Sequence, residues 1–143
     1  MLNLNTEEKK LYQAVREHMA NAYVPYSHFK VGAGLLTESG KMVLGVNIEN
    51  SSYPCGLCAE RVALFSYANQ GLLNDPIKVF MVSGNTPGPI SPCGACRQVM
   101  TEFMDKDCRI ILTNKGADLK ETTLNGILPY YFTEQDLENG QNK

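Results

Sequence analysis

Apolar strand-like runs alternate with helical patterns along this chain, and that alternation predicts a three-layer α/β sandwich. Three observations lead there. An amphipathic helix opens the chain, two apolar runs joined by a short polar turn follow it, and two more apolar runs alternate with segments that begin like helices.

The first helix is predicted from about Thr6 to Tyr23. Asn5 caps it with Glu8 as reciprocal partner, Leu11, Val15, Met19 and Ala22 recur at helical spacing, and Pro25 ends it. Val31 to Thr37 and Met42 to Ile48, joined by Glu38-Ser39-Gly40-Lys41, read as a β-hairpin. Glu49 to Leu57 is a polar loop containing Pro54 and Gly56. Cys58 to Gln70 reads as a second helix with Val62, Ala63, Phe65 and Ala68 apolar and Gly71 as its C-cap. Ile77 to Ser83 has the continuous apolar character of a buried strand, and Gly84 to Pro92 is a Gly- and Pro-containing loop. Gly94 to Met104 reads as a third helix and Cys108 to Thr113 as a further strand. Beyond Gly116, Leu119 to Leu124 is an edge strand, Thr123 to Leu128 one helical turn and Thr133 to Glu138 a short helix.

With 143 residues, the chain suits one domain spanning 1–143, with Gly140 to Lys143 a frayed tail. A hydrophobic share of 43% and a charged share of 20% are those of a globular protein. Lys and Arg total 13 against 15 Asp and Glu, with no basic tract, so a nucleic-acid partner is disfavoured and a small uncharged ligand expected. The first residues lack the apolar stretch of a secretory signal and no segment is long enough to span a bilayer, so the expected location is the cytoplasm. There, five cysteines are metal ligands or plain thiols rather than disulfides.

Two short stretches carry the chemistry: Cys58-Ala59-Glu60 and Pro92-Cys93-Gly94-Ala95-Cys96. Three thiolates bind zinc and leave its fourth position open for water, which distinguishes a catalytic zinc from a structural one. Glu60 stands two residues beyond Cys58 and can move protons to and from that water. Both motifs lie where helices are predicted to begin, and the positive end of a helix stabilises a thiolate. Zinc with three thiolates carries a net negative charge, which weakens its power to acidify water. Arg61 and Arg97 directly follow the motifs and are expected to donate hydrogen bonds to the sulfurs, Arg61 above all. The alternative for each is a solvated surface arginine.

Cys55-x-x-Cys58 with Cys93-x-x-Cys96 also has the shape of a closed four-cysteine structural site, in which Cys55 takes the open position. That reading leaves Glu60 without a purpose. Cys108, in an apolar run, reads as a buried thiol. His28 reads as a loop-fixing residue rather than a ligand, and His18 as part of the first helix.

The segments Pro25-Tyr26-Ser27-His28-Phe29-Lys30-Val31-Gly32-Ala33, Asn47-Ile48-Glu49-Asn50, Cys58-Ala59-Glu60-Arg61-Val62-Ala63 and Pro92-Cys93-Gly94-Ala95-Cys96-Arg97-Gln98 resemble the small homotetrameric cytidine deaminases, and the likeness extends to Leu128-Pro129 and Phe132. The resemblance implies a three-layer α/β/α sandwich with a five-stranded mixed sheet. It also implies hydrolytic deamination of cytidine and 2′-deoxycytidine to the corresponding uridines with release of ammonia, as in pyrimidine salvage. By it, Cys58, Cys93 and Cys96 hold one zinc ion per subunit and Glu60 is the proton shuttle. Asn47 and Glu49 bind the ribose, chiefly its 3′-hydroxyl; the Ala59 N–H recognises the pyrimidine and Phe29 lies near it. Phe132 is the aromatic contributed by a neighbouring subunit, and Tyr53 lies near subunit contacts. By spacing alone, Phe29 and Phe132 read equally well as core residues, and Asn47 and Glu49 as a solvent-facing pair. Cys55 falls where the family varies, and Gly34 replaces a frequent Ala. Three competing readings remain: a deaminase of another small molecule such as blasticidin S, a polynucleotide-editing deaminase, which would need a basic channel, and a non-enzymatic zinc module.

Overall fold

The computed structural model describes residues 3–141. Helix α1 spans Thr6–His18. Its start is fixed by a reciprocal cap: Glu8 N–H donates to Asn5 Oδ1 (2.8 Å) and Asn5 N–H to Glu8 Oε1 (3.0 Å). It does not run to Tyr23 as the periodicity predicts; it tightens to a 3-10 turn over Met19–Asn21. Tyr23 is diverted into main-chain pairing, its N–H donating to Asn47 O (3.0 Å) and its carbonyl accepting from Glu49 N–H (2.8 Å).

Strands β1 (Val31–Thr37) and β2 (Met42–Val46) form the antiparallel hairpin, with Gly34 opposite Leu44. β2 ends two residues before the predicted Ile48. The Asn47 side chain takes the place of a ladder bond, its Oδ1 accepting from Val31 N–H (2.9 Å). Ile48 pairs instead with Leu57 through two main-chain hydrogen bonds of 3.0 Å, which folds residues 49–57 back against the end of β2. A 3-10 turn over Tyr53–Cys55 lies in that loop.

Helix α2 (Ala59–Asn69), strand β3 (Ile77–Gly84), helix α3 (Gly94–Phe103) and strand β4 (Arg109–Asn114) follow, then β5 (Leu119–Thr123), the single turn α4 (Leu124–Ile127) and α5 (Glu134–Asn139). The five strands lie in the order β2-β1-β3-β4-β5. Only β3 and β4 run parallel, so the sheet is mixed. Alternate side chains along β3 enter different cores, as strand periodicity requires. Val79 and Met81 pack with Leu11 and Val15 of α1, whereas Phe80 and Val82 pack with Leu64 and Tyr67 of α2 and Met100 of α3. Helices thus cover both faces, and α2 and α3 share one of them.

Gly45 sets how closely α2 approaches the sheet. A Cβ there would lie 2.5 Å from both Ala59 O and Ala63 N, which are backbone atoms with no room to yield. Gly34 has a similar part on the opposite face, where a Cβ would meet Val15 Cγ2 at 2.7 Å and Leu11 Cδ1 at 2.9 Å. Its place in the sequence suggests a mild change; in the fold it lets α1 settle onto β1.

Cys108 lies just before β4 rather than in it, buried, with its thiol donating to Ile77 O (3.5 Å); burial pushes its pKa up to about 12. Gly140, the first residue of the expected tail, has a defined place. It ends α5, its N–H donating to Asp136 O (3.0 Å), and Gln141 N–H donates to Glu138 O (3.3 Å). The rest of the expected tail, Asn142 and Lys143, lies outside the described residues. No described helix is long and apolar enough to cross a membrane.

Candidate active site

Cys58 and Cys93 occupy the same structural position. Each is the extended residue preceding a helix, at φ −71°, ψ 155° and φ −68°, ψ 168°, and neither side chain caps its own helix. Their sulfurs are therefore free to turn toward each other over helix ends that carry unpaired N–H groups. Cys96, in the first turn of α3, points to the same spot and is buried. The sulfur of Cys58 stands 3.8 Å from that of Cys93, which stands 3.4 Å from that of Cys96. All three lie within 4.8 Å of one another, and among the described residues no other group of His, Cys, Asp or Glu is so placed. Tetrahedral zinc with bonds of about 2.3 Å needs sulfurs roughly 3.8 Å apart, so the donor set and its spacing fit that ion. Cys55 does not join the cluster; it is exposed on the 3-10 turn. The closed four-cysteine site is not formed.

Arg61 lies three residues after Cys58 and reaches back along the same helix face, its Nη2 donating to Cys58 Sγ (3.4 Å). A hydrogen bond from the Cys96 thiol, followed by those from Arg61 and Cys93, lowers the Cys58 pKa to about 5 against the opposing effect of burial. Cys96 is driven the other way by its bond to Cys58 and by burial. Bonding to Cys58 in turn holds the Arg61 proton more firmly. Arg61 Nε is buried without a partner among the described residues.

Glu60 is buried in the first turn of α2 at 4% exposure. Burial, followed by the negative charge of Cys58, raises its pKa above the ordinary carboxylate range. A carboxyl shifted this way accepts and returns a proton more readily near neutral pH. Ala59 is also buried and lies at the first helical position, where its N–H has no partner within the helix.

Beside Cys58 opens a cleft of about 410 Å³, lined by Tyr26, Ser27, Asn47, Glu49 and Arg61 among others. Glu49 is held by the preceding turn: Tyr26 N–H and Ser27 N–H donate to its Oε1 (3.0 and 3.1 Å). No such bond occupies Oε2. A hydrogen bond from the Ser27 side chain, then those from the Ser27 and Tyr26 N–H groups, keep this carboxyl below its ordinary pKa. Asn47 is committed to the main chain, since Nδ2 donates to Phe29 O (2.7 Å) while Oδ1 holds Val31. It keeps one amide hydrogen and one lone pair for a ligand. His28 has φ +56° and its N–H donates to Val24 O (3.0 Å), which makes it part of the loop geometry.

Phe29 and Phe132 are exposed, at 45% and 59%, so neither is a core residue, and neither lines the cleft. Arg97 departs from expectation. Its guanidinium donates to Pro92 O (2.8 Å), Ser91 Oγ (2.8 Å) and Ile127 O (2.7 Å), not to sulfur. Oxygen acceptors within reach capture it. Among the residues that sequence reasoning missed are the paired N–H groups of Tyr26 and Ser27, signalled in retrospect by the Pro25 turn, and Gly45, whose role depends on a helix that only the fold brings there.

A family model described as the cytidine and deoxycytidylate deaminase zinc-binding region matches residues 5–112. A cytidine deaminase of Sporosarcina psychrophila is 45% identical over 129 residues, covering 90% of this chain and 93% of that protein. One from Halalkalibacterium halodurans is 45% identical over 118 residues, covering 82% and 88%. The crystal structure of cytidine deaminase from Burkholderia pseudomallei superposes with a TM-score of 0.83 at 43% identity, covering 90% of this chain and all of that one.

Proposed function

This chain belongs to the family of zinc-binding cytidine and deoxycytidylate deaminases, and from that premise we propose that it accepts 2′-deoxycytidine as well as cytidine, working as a cytoplasmic salvage enzyme in one domain. It is a hydrolase that removes the ring amino group of cytidine, and zinc is its cofactor. The observation that carries the reading is the convergence of three thiols from two helix N-termini beside a buried glutamate.

Zinc, when bound, supplies a water acidified to near neutrality and ready to add to the ring. Cys58, Cys93 and Cys96 hold it, and Arg61 offsets the charge of the sulfurs. Glu60 takes a proton from the water that adds at C4 and gives one to N3. As the C4–N bond breaks, it takes the hydroxyl proton at C4, leaving the carbonyl, and gives it to the departing amino group, which leaves as ammonia. One buried carboxyl thus serves as base and then acid, which requires that bulk water be kept out. The Ala59 N–H orients the pyrimidine, and Phe29 lies near it. Glu49 Oε2 accepts the 3′-hydroxyl while Asn47 fixes the strand end beside it. That 3′-hydroxyl is common to ribose and deoxyribose, which supports acceptance of both nucleosides. Phe132 serves the site of a neighbouring subunit in a homotetramer, a role that would account for a large apolar side chain left exposed.

The test is direct. Purified zinc-loaded protein is incubated with cytidine and, separately, with 2′-deoxycytidine, while ultraviolet absorbance and released ammonia are followed. Stoichiometric conversion of both is expected; turnover of cytidine alone would confine the substrate to the ribonucleoside. Sizing chromatography of the same preparation should give the mass of four chains.

A further inference from the structure

Two neighbouring side chains of α3 reach the C-terminal segment. Arg97 bonds at once to Pro92 O, immediately before the ligand Cys93, and to Ile127 O, the last residue of α4. Gln98 Nε2 donates to Phe132 O (3.1 Å) and to Thr101 Oγ1 (3.3 Å). The segment they bracket has little else to fix it. α4 is a single turn, Tyr130 is fully exposed at φ +57°, and beyond Ile127 it is Tyr131 that packs against the core. Tyr130 sits in the left-handed region that a side chain disfavours, so the path from Ile127 to Phe132 needs contacts that hold it.

We propose that Arg97 and Gln98 are positioning residues: side by side after the ligand Cys96, they tie the C-terminal segment to the helix that carries two of the three thiols, and so fix where Phe132 sits. Arg97 makes the turn before Cys93 and the end of α4 move as one piece. Gln98 holds the main chain of Phe132 itself. Gln98 is exposed, so its bond to the tail serves no need of the core. The consequence for substrate binding rests on the reading that Phe132 serves a nucleoside site, but the tether does not.

Amide hydrogen exchange of residues 128–132 tests the tether in the zinc-loaded protein, and steady-state kinetics with cytidine tests its consequence. Gln98→Met and Gln98→Glu remove the donor, while Gln98→Lys keeps one. In the first two, exchange across 128–132 should quicken about tenfold or more, and KM should rise several-fold with kcat and zinc content near parental. Gln98→Lys should restore both readouts. Arg97→Lys, which cannot reach three acceptors at once, should also quicken exchange in this segment. Unchanged exchange in the Gln98 and Arg97 variants overturns the tether. Faster exchange at parental KM, or a fall in kcat and zinc at parental KM, overturns the link to substrate binding. A parent protein inactive on cytidine sinks the functional reading alone, because exchange still decides the tether.

Discussion

Cys58, Cys93 and Cys96 stand at the ends of two helices packed on a buried sheet, whereas Glu49 and Phe29 stand on loops tied by bonds between side chain and main chain, and Tyr53 lies on a loop beside them. The first arrangement sets the donor atoms on regular elements backed by the core, as metal binding requires. The second fixes the direction of a carboxylate and leaves the aromatic side chains exposed. On the proposed function, chemistry falls to this helix-borne floor and recognition to the loop-borne rim. If that division is right, substitutions in the floor should act on kcat and zinc, and those in the rim on KM.

The largest expected effect is at Glu60. Glu60→Gln keeps the size of the side chain and removes its capacity to carry protons, so kcat should fall by about 10²–10⁴-fold. Zinc content, measured by metal analysis, should not change. Near-parental turnover would remove Glu60 from the mechanism and leave the floor as a metal site alone. The rim comes next. Glu49→Gln should raise KM about tenfold to a hundredfold, the value of a hydrogen bond to a charged acceptor, with kcat little altered. A cytidine analogue lacking the 3′-hydroxyl should show the same loss with the parent and no further loss with the variant. Independent losses would show that Glu49 and the hydroxyl do not meet.

The floor was far more legible in the sequence than the rim, for physical reasons. Cys58 and Cys93 declare themselves by residue type and by the helix starts that follow, and both properties are local. Arg61 was also readable, because a residue three positions on shares a helix face with Cys58. Arg97 was not. One partner, Ile127 O, lies 30 residues away, and no local pattern announces that an oxygen will compete for the guanidinium. The rim required the family resemblance, since Glu49 is bound by the backbone of Tyr26 and Ser27, more than 20 residues earlier. The strand boundary at Val46 was missed for a related reason, as the Asn47 side chain replaces a main-chain partner.

Gly45 belongs to the floor although it lies on β2, outside both motifs. Gly45→Ala forces α2 away from the sheet and should cost about 1–3 kcal/mol of stability, read from the denaturant midpoint. Because α2 carries Cys58 and Glu60 at its start, kcat should fall while KM holds. A shift in KM alone would blur the division between floor and rim.

The smallest effect concerns protons, and it separates the two regions by sign. Burial raises the pKa of Glu60, whereas hydrogen bonds from Ser27 and Tyr26 lower that of Glu49 below its ordinary value of 4.5. A lowered pKa means that Glu49 keeps its charge as pH falls through the ordinary carboxylate range, and loses it only below. KM should therefore stay level over mildly acid pH, with kcat giving way first. Ser27→Ala removes the largest of the influences that hold Glu49 down, so the group should protonate at higher pH. The expected result is a modest KM rise, below about threefold, confined to the acid end of the profile and absent at neutral pH. An equal rise at every pH would mean that Ser27 shapes the loop without tuning the charge.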